Sequence, residues 1–122
     1  MNRYRKGAMA EYEWMNFLIY KGFATIRAPS SGNKNCPVDV VAMKNGLVLA
    51  FEIKNHAKMP RLPEQRLSLL EGWCSKAGAI GLLAWRRKGE WLFLSAKDAM
   101  ARRYDIENWL GIERLLEAID FK

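Results

Sequence analysis

The sequence predicts a single α/β domain, residues 1–122, built on a mixed β-sheet flanked by helices. Three observations carry this. Strand-like and helix-like hydrophobic periods alternate along the chain as helix, strands, helix, strands, helix. Half of the 122 residues are hydrophobic, enough for one packed core. The stretch "PVDVVAMKNGLVLAFEIKNH", residues 37–56, sets two apolar runs around Asn45-Gly46. That dipeptide is a strong two-residue hairpin signal, because a type I′ turn needs positive φ at both central positions.

Residues 5–21 read as the first helix, with Ala8, Tyr12, Met15, Leu18 and Ile19 on one stripe. Glu11 falls inside that stripe, and Glu13 falls on the far side with Asn16 and Lys21. Gly22 ends the helix, and "FATIRA" reads as the first strand. "PSSGNKNC" is a polar loop, and the hairpin follows. The two prolines of "AKMPRLPEQ" break the pattern. Residues 63–77 then read as a second helix, with Pro63 in its first turn and Gly78 as its C-cap. "AIGLLAWRRKGEWLFLS" reads as two strands joined by a basic turn. A last amphipathic helix carries Ile112, Leu115, Leu116 and Ile119 on one face.

Counting outward from Asn45-Gly46 pairs Lys44 with Leu47 and Val40 with Phe51, and then Asp39 with Glu52. Opposed side chains in such a ladder stand about 4.5–5.5 Å apart. Alternation puts Lys54 on the same face as Glu52. Two carboxylates so close repel unless a cation or a shared proton relieves them. The pattern therefore predicts a divalent-metal site with a lysine beside it. The alternatives are a bulge that breaks the count, or a strand-end loop with both acids in solvent. Glu11, facing the core, also needs a partner. The metal site would supply one, as would a salt bridge to Lys or Arg.

The formal net charge is +7, and it is uneven: residues 1–66 hold 11 Lys/Arg against 5 Asp/Glu, residues 67–122 hold 9 against 8. A metal site inside the basic half predicts a polyanionic substrate, nucleic acid first. No apolar run approaches the ~20 residues of a membrane span, and "MNRYRKGAMA" has no h-region of a secretory signal. Cys36 and Cys74 lack zinc-ligand spacing and read as reduced structural thiols of a cytoplasmic protein. The lone histidine, His56, reads as a solvated strand-end residue.

The order Glu on helix one, "PVD", then "FEIK" resembles the PD-(D/E)XK nuclease superfamily. "RKGAMAE", "KGFATIRAPSSG", "PVDVVAMKNG" and "FEIKN" resemble the archaeal-type Holliday junction resolvases. The likeness runs on through "PEQ" and "LFLS" and more weakly into "IERLLEAI", covering roughly residues 5–119. It implies a restriction-endonuclease-like fold. It also implies a structure-specific endodeoxyribonuclease that resolves four-way junctions with Mg²⁺, for which Mn²⁺ can substitute. Glu11, Asp39, Glu52 and Lys54 match the family's catalytic residues, with Asp39 and Glu52 as metal ligands and Glu11 a candidate third. Ser31, with Ser30 beside it, matches a loop serine needed for catalysis. Arg5, Lys6 and Arg27 match basic positions near the site, and Gln65 lies where related nucleases place a helix-two glutamine. The chain departs from the family in a shorter segment between "FEIK" and helix two, and in a compact tail.

Phosphodiester hydrolysis fits these residue types. Asp39, Glu52 and the Ile53 carbonyl offer hard oxygen ligands suited to Mg²⁺ or Mn²⁺. Lys54 could position water or neutralise a phosphoryl oxygen. Arg3, Arg5, Lys6, Arg27, Ser30, Lys34, Lys58, Arg61 and Gln65 are the expected DNA contacts. Paired nicks across a four-way junction imply a homodimer. Leu69, Leu70, Trp73 and Trp85 are the expected interface residues. The competing readings are another PD-(D/E)XK nuclease, of branched-DNA or restriction type, and a non-catalytic DNA-binding module of the same fold.

Overall fold

The computed structural model describes residues 3–28 and 35–120. The elements run α1 (Arg3–Tyr20), β1 (Ala24–Arg27), β2 (Val40–Lys44), β3 (Leu47–Asn55), α2 (Glu64–Ala77), β4 (Ile80–Arg87), β5 (Glu90–Ser95), α3 (Ala96–Met100), a 3₁₀ turn (Ile106–Asn108) and α4 (Ile112–Asp120). One five-stranded sheet has the order β1-β2-β3-β4-β5. Only the β3–β4 pair is parallel, with α2 as its crossover. The mixed, helix-flanked sheet is the one the sequence predicts.

Turn chemistry sets the hairpins. Asn45 (φ 50°) and Gly46 (φ 85°) join β2 to β3, and Lys88 (φ 50°) and Gly89 (φ 80°) join β4 to β5. The predicted register holds from Lys44↔Leu47 to Val40↔Phe51 and then stops. The Asp39 N–H donates to the Phe51 carbonyl at 2.8 Å, so Asp39 and Val40 both face Phe51. Two residues against one is a β-bulge, which re-aims a side chain at a strand end. The expected direct pairing of Asp39 with Glu52 is therefore replaced by a bulge.

Two apolar layers enclose the sheet. On one face, Ala10, Trp14 and Leu18 of α1 and Leu115 and Ile119 of α4 pack on Val40, Leu49, Phe51, Ile53 and Phe93. The stripe expected on α1 is thus rotated: Tyr12 and Ile19 are exposed, and Trp14 is fully buried. Trp14 and Phe17, left off that stripe, stack on each other and anchor the helix. On the other face, Leu67, Leu70 and Cys74 of α2 pack on Ala50, Leu83, Trp85 and Leu94. Two elements not predicted are α3 and the 3₁₀ turn; α3 and the residues flanking that turn help close this layer. Ala96, Ala99, Tyr104 and Trp109 are buried in it, and Trp109 meets Trp85 edge-on at 5.3 Å. Leu70 and Trp85, expected at a dimer interface, are 1% and 2% exposed inside the chain's own core. Leu69 and Trp73 are half-buried.

Glu13, read on the far side of α1 from Glu11, is tied to the sheet. Its Oε2 accepts from Trp91 Nε1 at 2.7 Å and from Arg86 Nε at 2.9 Å, tying α1 to β4 and β5. Partial burial pushes its carboxyl up, but those two bonds outweigh it and leave the pKa below the usual value. A depressed carboxylate adds stability above its unfolded pKa and loses it as pH falls through the folded one. Glu13→Gln is therefore expected to cost about 0.5–1 kcal/mol at neutral pH, discounted for its exposure, without slowing catalysis. The difference should vanish in acid. Thermal melts at pH 7 and pH 3 check it; equal destabilisation at both would mean the charge is irrelevant.

Candidate active site

Alternation along β3 sends Phe51 and Ile53 to the α1 face, and Glu52 and Lys54 to the α2 face. β2 ends one residue short of Asp39, and the bulge turns the Asp39 carboxylate back along β3. Its Oδ2 accepts from the Ile53 N–H at 2.7 Å. Asp39 and Glu52 are the two buried charged residues among those described, 6% and 3% exposed. Lys54 Nζ lies 3.6 Å from Glu52 Oε1, at the mouth of the site. Glu11 comes from α1, on the opposite side of the sheet. It is held by Arg27 Nε at 2.8 Å, and the Arg27 guanidinium in turn covers the Tyr12 ring.

The Asp39 charge acts on both of the other acids. Burial raises the Glu52 pKa, the Asp39 charge raises it further, and Arg66 and Lys54 pull back without prevailing. Burial and Asp39 likewise raise Glu11, against Arg27 and Lys54. Burial and carboxylate repulsion at a half-open site are what a cation would relieve. Among the described residues, no three His, Cys, Asp or Glu groups stand close enough to enclose a metal ion. The donors suit an ion that keeps much of its own water, as Mg²⁺ does. In a strand the N–H and C=O of one residue point to the same side. The Ile53 carbonyl therefore faces the Asp39 side with its N–H. Two carboxylates and that carbonyl make a hard, all-oxygen set, so the residues fit a divalent cation.

Arg5, Lys6, Lys58 and Arg61, expected as DNA contacts, are exposed. Arg5 and Lys6 are exposed on the first turns of α1, and the Lys6 carbonyl accepts from Asn55 Nδ2 at the end of β3. Lys58 and Arg61 lie on the segment between β3 and α2, where Arg61 covers the Tyr104 ring. With Lys54, His56 and Leu62 they line a cleft of about 310 Å³ that opens beside the site. Arg3 begins α1. Ser30, Ser31 and Lys34 lie outside the described residues.

One residue at the site was missed. Gln65, the expected helix-two residue, is exposed. Its neighbour Arg66 reaches Glu52 instead, with Nη2 at 3.0 Å from Oε1 and 2.9 Å from Oε2. The signal was available in the spacing. Arg66 is four residues before Leu70 and so shares its sheet-facing stripe.

Comparison with known proteins gives the family. A model of the archaeal Holliday junction resolvase (Hjc) family matches residues 2–122. A crossover junction endodeoxyribonuclease Hjc of Sulfolobus acidocaldarius is 32% identical over 133 residues, covering 99% of this chain and 87% of that protein. A protein of the same name from Methanocaldococcus jannaschii is 35% identical over 95 residues, 77% of this chain and 68% of that protein. The solved structure of Archaeoglobus fulgidus Hjc, a Holliday junction resolvase, superposes with a TM-score of 0.67 at 26% identity, over 75% of this chain and 78% of that one. Matched along nearly its whole length in sequence, and over three quarters of it in structure, this chain belongs to the archaeal Holliday junction resolvase family.

Proposed function

We propose that the protein is a crossover junction endodeoxyribonuclease that resolves four-way DNA junctions as a homodimer, by Mg²⁺-dependent paired hydrolysis of phosphodiesters. The observation that carries this reading is the buried Asp39–Glu52 pair with Lys54 on the same strand face, in a chain of this family. Asp39, Glu52 and the Ile53 carbonyl would hold the cation, with Glu11 close enough to Asp39 to be felt electrostatically. Bound there, the ion supplies an activated water and charge relief at the phosphorus. Lys54, a third exposed at the mouth, orients the attacking water or neutralises a phosphoryl oxygen. Arg27 holds the Glu11 carboxylate in place. Arg5, Lys6, Lys58 and Arg61 grip backbone phosphates, which positions the duplex arms without reading sequence. Two protomers then set the spacing and angle of the nicks.

A gel assay tests this with a labelled four-way junction and a linear duplex of the same sequences. Junction cleavage in Mg²⁺ or Mn²⁺, as paired nicks in opposing strands, is expected, with none in excess EDTA. Zinc-selective chelation should leave it intact. Equal cutting of the duplex would favour a general nuclease, and full activity in EDTA would remove the metal mechanism.

A further inference from the structure

Arg66 has a place in the site that the family's acids do not explain. It sits in the first turn of α2, where the helix dipole disfavours a cation. It does not extend into solvent: its side chain is 18% exposed and folds onto the buried Glu52. The contact has an unusual form. A single nitrogen, Nη2, touches both carboxylate oxygens. A two-point guanidinium–carboxylate pair would use two nitrogens. The other terminal nitrogen, Nη1, is buried without a hydrogen-bond partner among the described residues. Leaving a buried donor unpaired costs free energy, so this pairing is not the best one the guanidinium could make.

We propose that Arg66 is an internal counter-ion that a divalent cation must displace from Glu52, making it a positioning residue that sets the threshold for metal binding. The inference rests on the metal reading of the site and deepens it. Both oxygens of Glu52 are engaged by Nη2, and Lys54 stands 3.6 Å from Oε1. A cation bound to Glu52 competes with Arg66 for the same two oxygens. The apparent metal affinity is therefore reduced by the fraction of molecules in which Arg66 holds the carboxylate. Once displaced, the guanidinium stands at the edge of the site with all its donors available, beside the basic cleft of Lys54, Lys58 and Arg61. Metal occupancy and the supply of phosphate-binding donors would then rise together.

Mn²⁺ binding measured by calorimetry on the wild type and on Arg66→Gln tests this. Arg66→Gln is expected to bind Mn²⁺ about tenfold more tightly. Equal or weaker binding would overturn the proposal while leaving the metal site standing. Absence of Mn²⁺ binding in both proteins would sink the metal reading itself. Removing a cation could raise affinity through its charge alone, and Arg66→Gln could fail to fold. The wild type decides both cases through the Arg66 guanidinium NMR signals, assigned through the backbone, during a Mg²⁺ titration. They are expected to shift and to lose their hindered rotation as Mg²⁺ saturates. Signals unchanged at saturation would show that Arg66 stays on Glu52, and the proposal would fall.

Discussion

Asp39→Asn and Glu52→Gln are each expected to lower junction cleavage at least about 100-fold, the scale seen when one preorganised electrostatic group is removed from an active site. Each keeps the shape of the side chain and removes one of the charges that would hold the cation. Asp39→Asn retains a side-chain oxygen to accept from the Ile53 N–H, so the bulge that sets the geometry should survive. Glu52→Gln removes a charge that burial and Asp39 both disfavour, and its amide oxygen can still accept from Arg66. Both variants should therefore fold and bind junctions, and Lys54→Ala should behave in the same way. Single-turnover cleavage and gel-shift binding, run side by side, read the two properties separately. Near-normal cleavage by any of the three would mean that the chemistry lies elsewhere. Loss of binding in parallel with cleavage would mean that the acids act through folding.

Trp14→Ala should have the largest effect on stability. Trp14 is fully buried, with ring centroids 4.7 Å from Phe93, 5.3 Å from Phe17 and Trp91, and 5.4 Å from Phe51. It joins α1 to β3 and β5. Truncating a buried Trp costs about 3–5 kcal/mol, against a total of about 5–15 for a domain. The melting temperature should fall by at least about 10 °C. Activity should fall with it, because α1 carries Glu11. Trp14→Phe should cost clearly less, since Trp14 Nε1 is buried without a partner among the described residues and Phe removes that polar group. A melting temperature for Trp14→Ala within about 3 °C of the parent would contradict this packing.

The α1 face shows why part of the core could not be read along the chain. The expected stripe ran through Tyr12 and Ile19, both of which the structure leaves exposed. α1 carries apolar residues around much of its surface, so periodicity alone gives no single answer. The sheet chose the face that brings Trp14 onto Phe51 and Phe93. The same limit applies to Glu13, which depends on Arg86 and Trp91 more than 70 residues away. α3 escaped notice because five residues are too few to show a helical period. Leu70 and Trp85 read as interface residues because Tyr104 and Trp109, which join them in that buried layer, show no local pattern along the chain.

The sequence by itself determined the hairpin, its register as far as Val40↔Phe51, the shared face of Glu52 and Lys54, and the order of elements that makes a mixed sheet. These follow from rules that act over a few residues: positive φ at Asn45-Gly46, alternation along a strand, and a left-handed glycine at the end of a helix. Only the tertiary structure decided how the acids meet and what balances them. The bulge at Asp39 depends on a bond from its side chain to the Ile53 backbone across the hairpin. Arg27 on Glu11 and Arg66 on Glu52 each join separate elements, 16 and 14 residues apart. A charge acts through space, over distances set by packing, and its spacing along the chain does not give those distances.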